Sequence, residues 1–411
     1  MIVEPVVSSR VEPPPLASVN LGLPMPFGRC PADLYDGWVL HEAALRNGLN
    51  TLLFPGQALM AFPGEDPTGG VAFAHGVANS TWISAATMVQ DKRIRRDVLD
   101  AAGIPQPRGR AFSLQRGRTY AKEFAETIGY PVVVKPMVGD STVEVMPRLR
   151  NADDLDQAID YLWKVPPSRA NFTQASYAFT QILSPKTSSS TRTRGTYRYL
   201  VEEHVAGQYL RLLLADGRLL SAVHAPGGPW NLGEGVRDVT GEIHADIEAF
   251  AQGAAEATPG MPVLTVDIVV NDFTGPTAHE NRPVLVEHSE RPWMYLQHVA
   301  DERRISELGH ELLQSSARHA GLTLPGSGMG TQERVTFRWE GLSQVAEDIQ
   351  AAEAAAGQMQ LDLRFTSTDP VAGVVCGEVS GPPAVIALLS EFVIDGHVLT
   401  APAMAVETRP A

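Results

Sequence analysis

Residues 128–145, IGYPVVVKPMVGDSTVEV, constrain the chain more than any other stretch. Val132, Val133 and Val134 follow a proline and end at Lys135. Short runs of β-branched residues bounded by Pro and Gly read as buried strands. A lysine at the end of such a strand puts a fixed positive charge at the edge of a core. A nucleotide phosphate leaving water needs such a partner. A lysine snorkelling off the strand end reads equally well from this stretch alone, so the rest of the sequence must decide.

A chain of 411 residues is too long for one compact core, and two or three domains are expected. The formal net charge of −14 argues against nucleic acid as the main partner. Any site for a polyphosphate must therefore concentrate positive charge locally. Cys30 and Cys376 are the only cysteines, so neither a disulfide framework nor a cysteine metal site follows. The first residues lack the basic-then-apolar pattern of a signal peptide, and no apolar run is long enough to span a bilayer. Cytoplasmic placement without membrane association is the expectation.

The pattern along the chain is mixed α/β. Residues 1–30 read as an extended Pro- and Ser-rich lead-in, 31–50 as a helix, 52–54 and 58–62 as strands, and 70–77 as a returning hairpin. Residues 88–102 have helical spacing, with Val89, Ile94, Val98 and Leu99 as the apolar face. Lys92, Arg93, Arg95 and Arg96 read as a solvated basic face. Further helices are expected over 119–128 and, capped by Asn151, to about Trp163. Strands are expected at 199–203, 211–214, 219–224, 264–270 and from Val284, and a helix over 301–320. The polar segment 184–195 reads as an inserted loop, either a surface loop or a cover for an anionic substrate. The last 80 residues read as β-α-β-β-α-β: strands 334–339, 359–365, 372–379 and 398–406, with helices 342–356 and 383–394. That order suggests a ferredoxin-like unit.

Asp267 sits in the apolar strand LTVDIVV, and Glu287 in VLVEHS. An acid is costly to bury unless paired or metal-bound. Two acids projected from paired strands converge on one ion, and Mg²⁺ takes carboxylate oxygens while bridging nucleotide phosphates.

Asp91-Lys92 with its helix, then AGIPQP at 102–107, then GYPVVVKP at 129–136 resemble the opening of an ATP-grasp fold. The version they are most similar to is that of cyanophycin synthetase and of the glutathione synthetase part of bifunctional glutathione enzymes. The resemblance implies an α/β (α+β) ATP-grasp domain over 81–325, preceded by a small α/β unit over 1–80 and followed by the ferredoxin-like domain over 331–411. It implies that Lys92 and Lys135 contact ATP phosphates. Glu202, Glu203 and Val205, in VEEHVAG, would border the adenine. Arg211 matches an arginine on the substrate side, and His224 lies near a basic residue that faces phosphates. Gly233-Glu234-Gly235 is similar to a GDG element of the cyanophycin-like group. Asp267, Glu287 and Ser289 would serve Mg²⁺, with Ser289 standing where the family has Asn. The loop after Lys135 keeps only Gly139 and carries Asp140 and Glu144, and Tyr209 stands where relatives place an acid for the ribose.

The function so implied is ATP-dependent joining of an amino-acid or peptide carboxylate to an amine through an acyl phosphate, releasing ADP and phosphate. Two alternatives stay open: a catalytically impaired nucleotide-binding or regulatory protein, and a bicarbonate-using carboxylase of the same fold. The expected partners are ATP, Mg²⁺ and small amino-acid or peptide substrates. A homodimer is left open.

Overall fold

The computed structural model describes residues 11–139, 143–164, 168–169, 198–325 and 333–411. At its centre lies the helix Ala32–Arg46, with nearly every side chain buried, including Asp33, Asp36, His41 and Glu42. A helix buried all round belongs to a core that surrounds it. It packs against the helices Pro383–Ile394 and Ile305–Ala320.

Besides the two-stranded pair Ser18–Asn20 and Arg29–Pro31, three larger sheets are described, all with antiparallel pairing. The first has four strands in the order Gly109–Ser113, Arg198–Glu203, Val132–Pro136, Met146–Leu149. The helices Arg118–Ile128 and Ala152–Trp163 cover it. Asn151 caps the second of these, its side chain accepting from the Asp153 and Asp154 N–H groups, as its residue type predicted. The second sheet has five strands in the order Arg237–Asp238, Arg218–His224, Gln208–Ala215, Val263–Val270, Val284–Ser289. One face packs on the helix Ala245–Glu256, which is not among the elements expected from the sequence. The two sheets line a common cleft.

The third sheet has eight strands and joins the two ends of the chain. The C-terminal β-α-β-β-α-β order is present, with its strands arranged Asp362–Asp369, Val374–Gly381, Glu333–Glu340, Ala405–Pro410. Its last strand lies at Ala405–Pro410 rather than 398–406, and it continues into Asn50–Phe54 through the pairs Val406↔Leu53 and Thr408↔Thr51. The N-terminal unit and the C-terminal unit, read from sequence as separate, are thus one sheet. The edge of each would otherwise present unpaired N–H and C=O groups. The helix expected over 88–102 is two, Ile83–Gln90 and Lys92–Ala101, with Asp91 between them accepting from the Arg93 N–H. The expected helix 301–320 is the helix Ile305–Ala320, preceded by the short helix Tyr295–Ala300. Among the described residues no helix is long and apolar enough to cross a membrane.

The central helix also fixes the segment that leaves the second sheet. The Asp36 carboxylate accepts from the Trp293 N–H at 3.0 Å and the Met294 N–H at 2.8 Å. Arg291 donates to the Asp33 carbonyl at 3.1 Å and stacks over Trp293 at 4.2 Å. Gly76, at φ +79°, brings the N-terminal hairpin against the same segment; an added Cβ would lie 2.6 Å from the Asp36 Cβ. Asp36→Ala leaves two buried N–H groups without their acceptor, each costing about 1–3 kcal/mol. Urea unfolding should therefore show a loss of roughly 2–4 kcal/mol, and a loss too small to resolve would mean that Asp36 does not anchor this segment.

Candidate active site

The strand Val132–Pro136 delivers Lys135 to the cleft, buried at 6% exposure. Its Nζ lies 2.7 Å from Glu202 Oε2 and 3.9 Å from Glu287 Oε2, and donates to the Val286 carbonyl at 2.8 Å. Lys135 therefore ties the four-stranded sheet, which carries Glu202, to the five-stranded sheet, which carries Glu287. Each carboxylate has a second cation: Arg96 Nη1 sits 2.6 Å from Glu202 Oε1, and Arg95 Nη1 pairs with Glu287 Oε1. The charges alternate along one buried chain: Arg96, Glu202, Lys135, Glu287, Arg95.

Lys92 joins them from the start of its helix. Its Nζ donates to the Gly139 carbonyl at 2.9 Å, and its backbone N–H donates to the Met137 carbonyl at 3.0 Å. Gly139 has φ +136°, which favours glycine. The two lysines thus bracket the start of the loop that follows Lys135. Residues 140–142 of that loop, with Asp140, and the polar segment 184–195 lie outside the described residues. Glu144 is turned away into an ion pair with Arg169 at 3.0 Å, so its charge is matched locally.

The basic helix is solvated only in part, at Arg93 and Arg96. Lys92, Arg95 and Leu99 are the buried residues of the helix Lys92–Ala101, and they fall at i, i+3 and i+7, the spacing of one face. The signal was present in the sequence, but two of the three residues are cations and did not count as core. The loop Pro226–Asn231 at the cleft mouth was also passed over, and its turn-rich PGGPWN was the signal.

In the five-stranded sheet, Arg211, Asp267 and Glu287 stand side by side through the pairs Arg211↔Asp267 and Asp267↔Glu287. Cross-strand partners share a face; Asp267 and Glu287 line the cleft, and Arg211 is buried beside them. Arg211 grips Asp267 with both ends of its fork, Nε to Oδ1 and Nη2 to Oδ2, each at 2.8 Å. It also lies over the Tyr295 ring at 5.3 Å. Ser289 Oγ accepts from the Arg291 N–H at 3.1 Å.

His224 is not in this row. It pairs with Leu210 and packs on Phe273, on the face that meets the helix Ala245–Glu256. The pairing of its strand shifts by one residue between Leu213 and Leu214. Without that bulge His224 would oppose Tyr209 and face the cleft; one residue of slip sends it to the other side.

The cleft has a volume of about 350 Å³. Val133, Val205, Val269 and Val286 line it together with Lys135, Glu202, Asp267 and Glu287. Along the expected adenine edge, Glu203 N–H donates to the Arg108 carbonyl and His204 N–H to the Pro131 carbonyl. The Glu203 carboxylate pairs with Arg108 at 2.5 Å, and the Glu202 carboxylate is engaged with Lys135. Among the described residues the Val205 N–H has no backbone partner. Tyr209 also borders the cleft.

The residues expected to hold Mg²⁺ are thus brought together, yet their oxygens are engaged: Asp267 by Arg211, Glu287 by Arg95. No group of three or more metal-binding side chains occurs among the described residues. The arrangement does not fit a ready metal cage, which needs oxygens open to the ion.

Burial alone would raise the Glu287 carboxyl, but Arg95, Lys92 and Lys135 overcome that and hold it at about 2, against an ordinary 4.5. A carboxylate depressed in the folded state stabilises fully above its unfolded value and loses that contribution as pH falls through the folded one. The stability gap between the native chain and Glu287→Gln should be widest above about pH 4.5 and close as pH falls toward 2. Urea midpoints at several acidic pH values measure it, and a gap independent of pH would contradict the ion pairing.

No protein-family model matches the chain. A D-alanine–D-alanine ligase of Gloeobacter violaceus is 24% identical over 244 residues, covering 54% of this chain and 66% of the relative, so the match spans just under two thirds of that protein. Among solved structures, the chain is similar to the D-alanine–D-alanine ligase of Bacillus anthracis, at 15% identity over 58% of this chain and 70% of that one, with a TM-score of 0.41. It is also similar to a RimK-domain ATP-grasp protein of Sphaerobacter thermophilus, at 18% identity over 57% and 69%, with a TM-score of 0.38.

Proposed function

We propose that this chain, similar in sequence to a D-alanine–D-alanine ligase and built on two facing ATP-grasp sheets, is an ATP-dependent carboxylate–amine ligase. The observation that carries the reading is the charge balance of the cleft. Four buried cations (Lys92, Arg95, Lys135, Arg211) and the partly buried Arg96 stand around three buried carboxylates (Glu202, Asp267, Glu287), while Glu203 at the wall is matched by Arg108, in a protein whose net charge is −14. A surplus of buried positive charge attracts a phosphate chain and gains strength where water is excluded.

Adenine would lie among Val133, Val205 and Val269, with the Val205 N–H at its edge. Lys92 and Lys135 would hold the phosphates. An oxygen of the substrate carboxylate would then bond to the γ-phosphorus as the bond from that phosphorus to the bridging oxygen breaks, giving ADP and an acyl phosphate. An amine would attack the acyl carbon and expel phosphate, forming the amide. Arg211 Nη1 has no hydrogen-bond partner among the described residues and would meet the acyl-phosphate oxygens. Mg²⁺ carried on the nucleotide would neutralise part of the phosphate charge; no step is assigned to it. The protein's contribution is positioning and charge neutralisation. The relative's name supports amino-acid substrates; an amino acid or short peptide in a reducing cytoplasm is the class proposed.

The ion pairs at Asp267 and Glu287 favour one second reading, a nucleotide-binding protein without turnover. ADP release measured against a panel of amino acids and short peptides separates the two. Amine-dependent release supports the ligase, and ATP binding with no release on any pair supports the rival. Lys135→Ala should lower turnover by about 10²–10³-fold and leave the fold intact, because Arg96 and Arg95 still match Glu202 and Glu287. Near-normal turnover in that variant would remove Lys135 from the site.

A further inference from the structure

The pairing of Glu287 with Arg95 bears on how the site handles metal. Arg95 is buried at 4% exposure and donates from Nη1 to both Glu287 Oε1 and the His288 carbonyl, the latter at 2.9 Å. A guanidinium is always charged and weakly hydrated, so it tolerates burial beside a carboxylate better than an ammonium does. Next to it, Arg211 occupies both oxygens of Asp267, and on the far side Lys135 stands 3.9 Å from Glu287 Oε2. A divalent ion at Glu287 would have to enter beside Arg95, Lys135 and Lys92 with no fresh negative charge to offset it. The arginine supplies the charge that such an ion would supply.

We propose that Arg95 holds the place of a metal ion at Glu287, so that the chain itself binds no divalent cation there and the nucleotide brings the single ion of the complex. The part of this concerning the nucleotide rests on the ligase reading; the part concerning Glu287 does not.

Mn²⁺ binding, followed by the loss of the free-ion EPR signal, tests both. Without nucleotide the native chain should show no site at Glu287. With a non-hydrolysable ATP analogue it should bind one Mn²⁺ per chain. Arg95→Gln should gain a nucleotide-independent Mn²⁺ site at least about tenfold tighter than any in the native chain, and the added substitution Glu287→Gln should abolish it. Arg95→Lys, which keeps the charge, should behave as the native chain does. Two Mn²⁺ per bound analogue in the native chain, or no gain in Arg95→Gln, would overturn the proposal. If Arg95→Gln does not fold, the native count and Arg95→Lys decide: a gained site in Arg95→Lys counts against it. Failure of the native chain to bind the analogue would overturn the ligase reading and the single-ion part, while the metal-only measurements still test Arg95 at Glu287.

Discussion

The site depends on Lys135 standing between Glu202 and Glu287. Taking these charges out of water is costly, and only their alternation with Arg95 and Arg96 offsets that cost. Removing one member of a lone buried pair typically costs roughly 3–5 kcal/mol because the other is stranded; here Glu202 and Glu287 each have a second cation, Arg96 and Arg95. The geometry therefore holds together as a unit. It also spans the molecule: Glu202 belongs to the four-stranded sheet, Glu287 to the five-stranded sheet, and the arginines to the helix after Asp91. This chain of charges links the two sheets across the cleft.

The remainder of the fold holds that arrangement in place. The central helix Ala32–Arg46 fixes the segment 291–294 through Asp36, directly after the strand that carries Glu287. The helix packs on the strands Asn50–Phe54 and Ala58–Phe62 of the eight-stranded sheet, which pairs Asn50–Phe54 with Ala405–Pro410. The cations gathered around these carboxylates follow from which residues are buried rather than from overall composition, which is acidic.

Much of this was legible in the residues. The valine run ending at Lys135, the Asn151 cap, the C-terminal β-α-β-β-α-β order and the opposition of Asp267 and Glu287 each follow from local rules of strand, cap and alternation. Three features were not. Lys92 and Arg95 read as part of a solvated face because a helical face containing cations does not register as core, although their spacing with Leu99 marks them. His224 was assigned to the cleft, but one bulged residue near Leu213 reverses the side it faces, and no local signal in the strand announces it. The joining of Asn50–Phe54 to Ala405–Pro410 depends on two edges meeting across most of the chain's length, which no window of sequence contains.

The central claim is that the two facing sheets hold a nucleotide triphosphate against Lys92 and Lys135. The most direct measurement is a crystal structure with a non-hydrolysable ATP analogue. The account predicts adenine between Val133 and Val269 with its edge at the Val205 N–H, and the phosphates against the two lysines. Phosphates bound elsewhere, or a chain of charge from Arg96 to Arg95 that shuts the analogue out of the cleft, would contradict it.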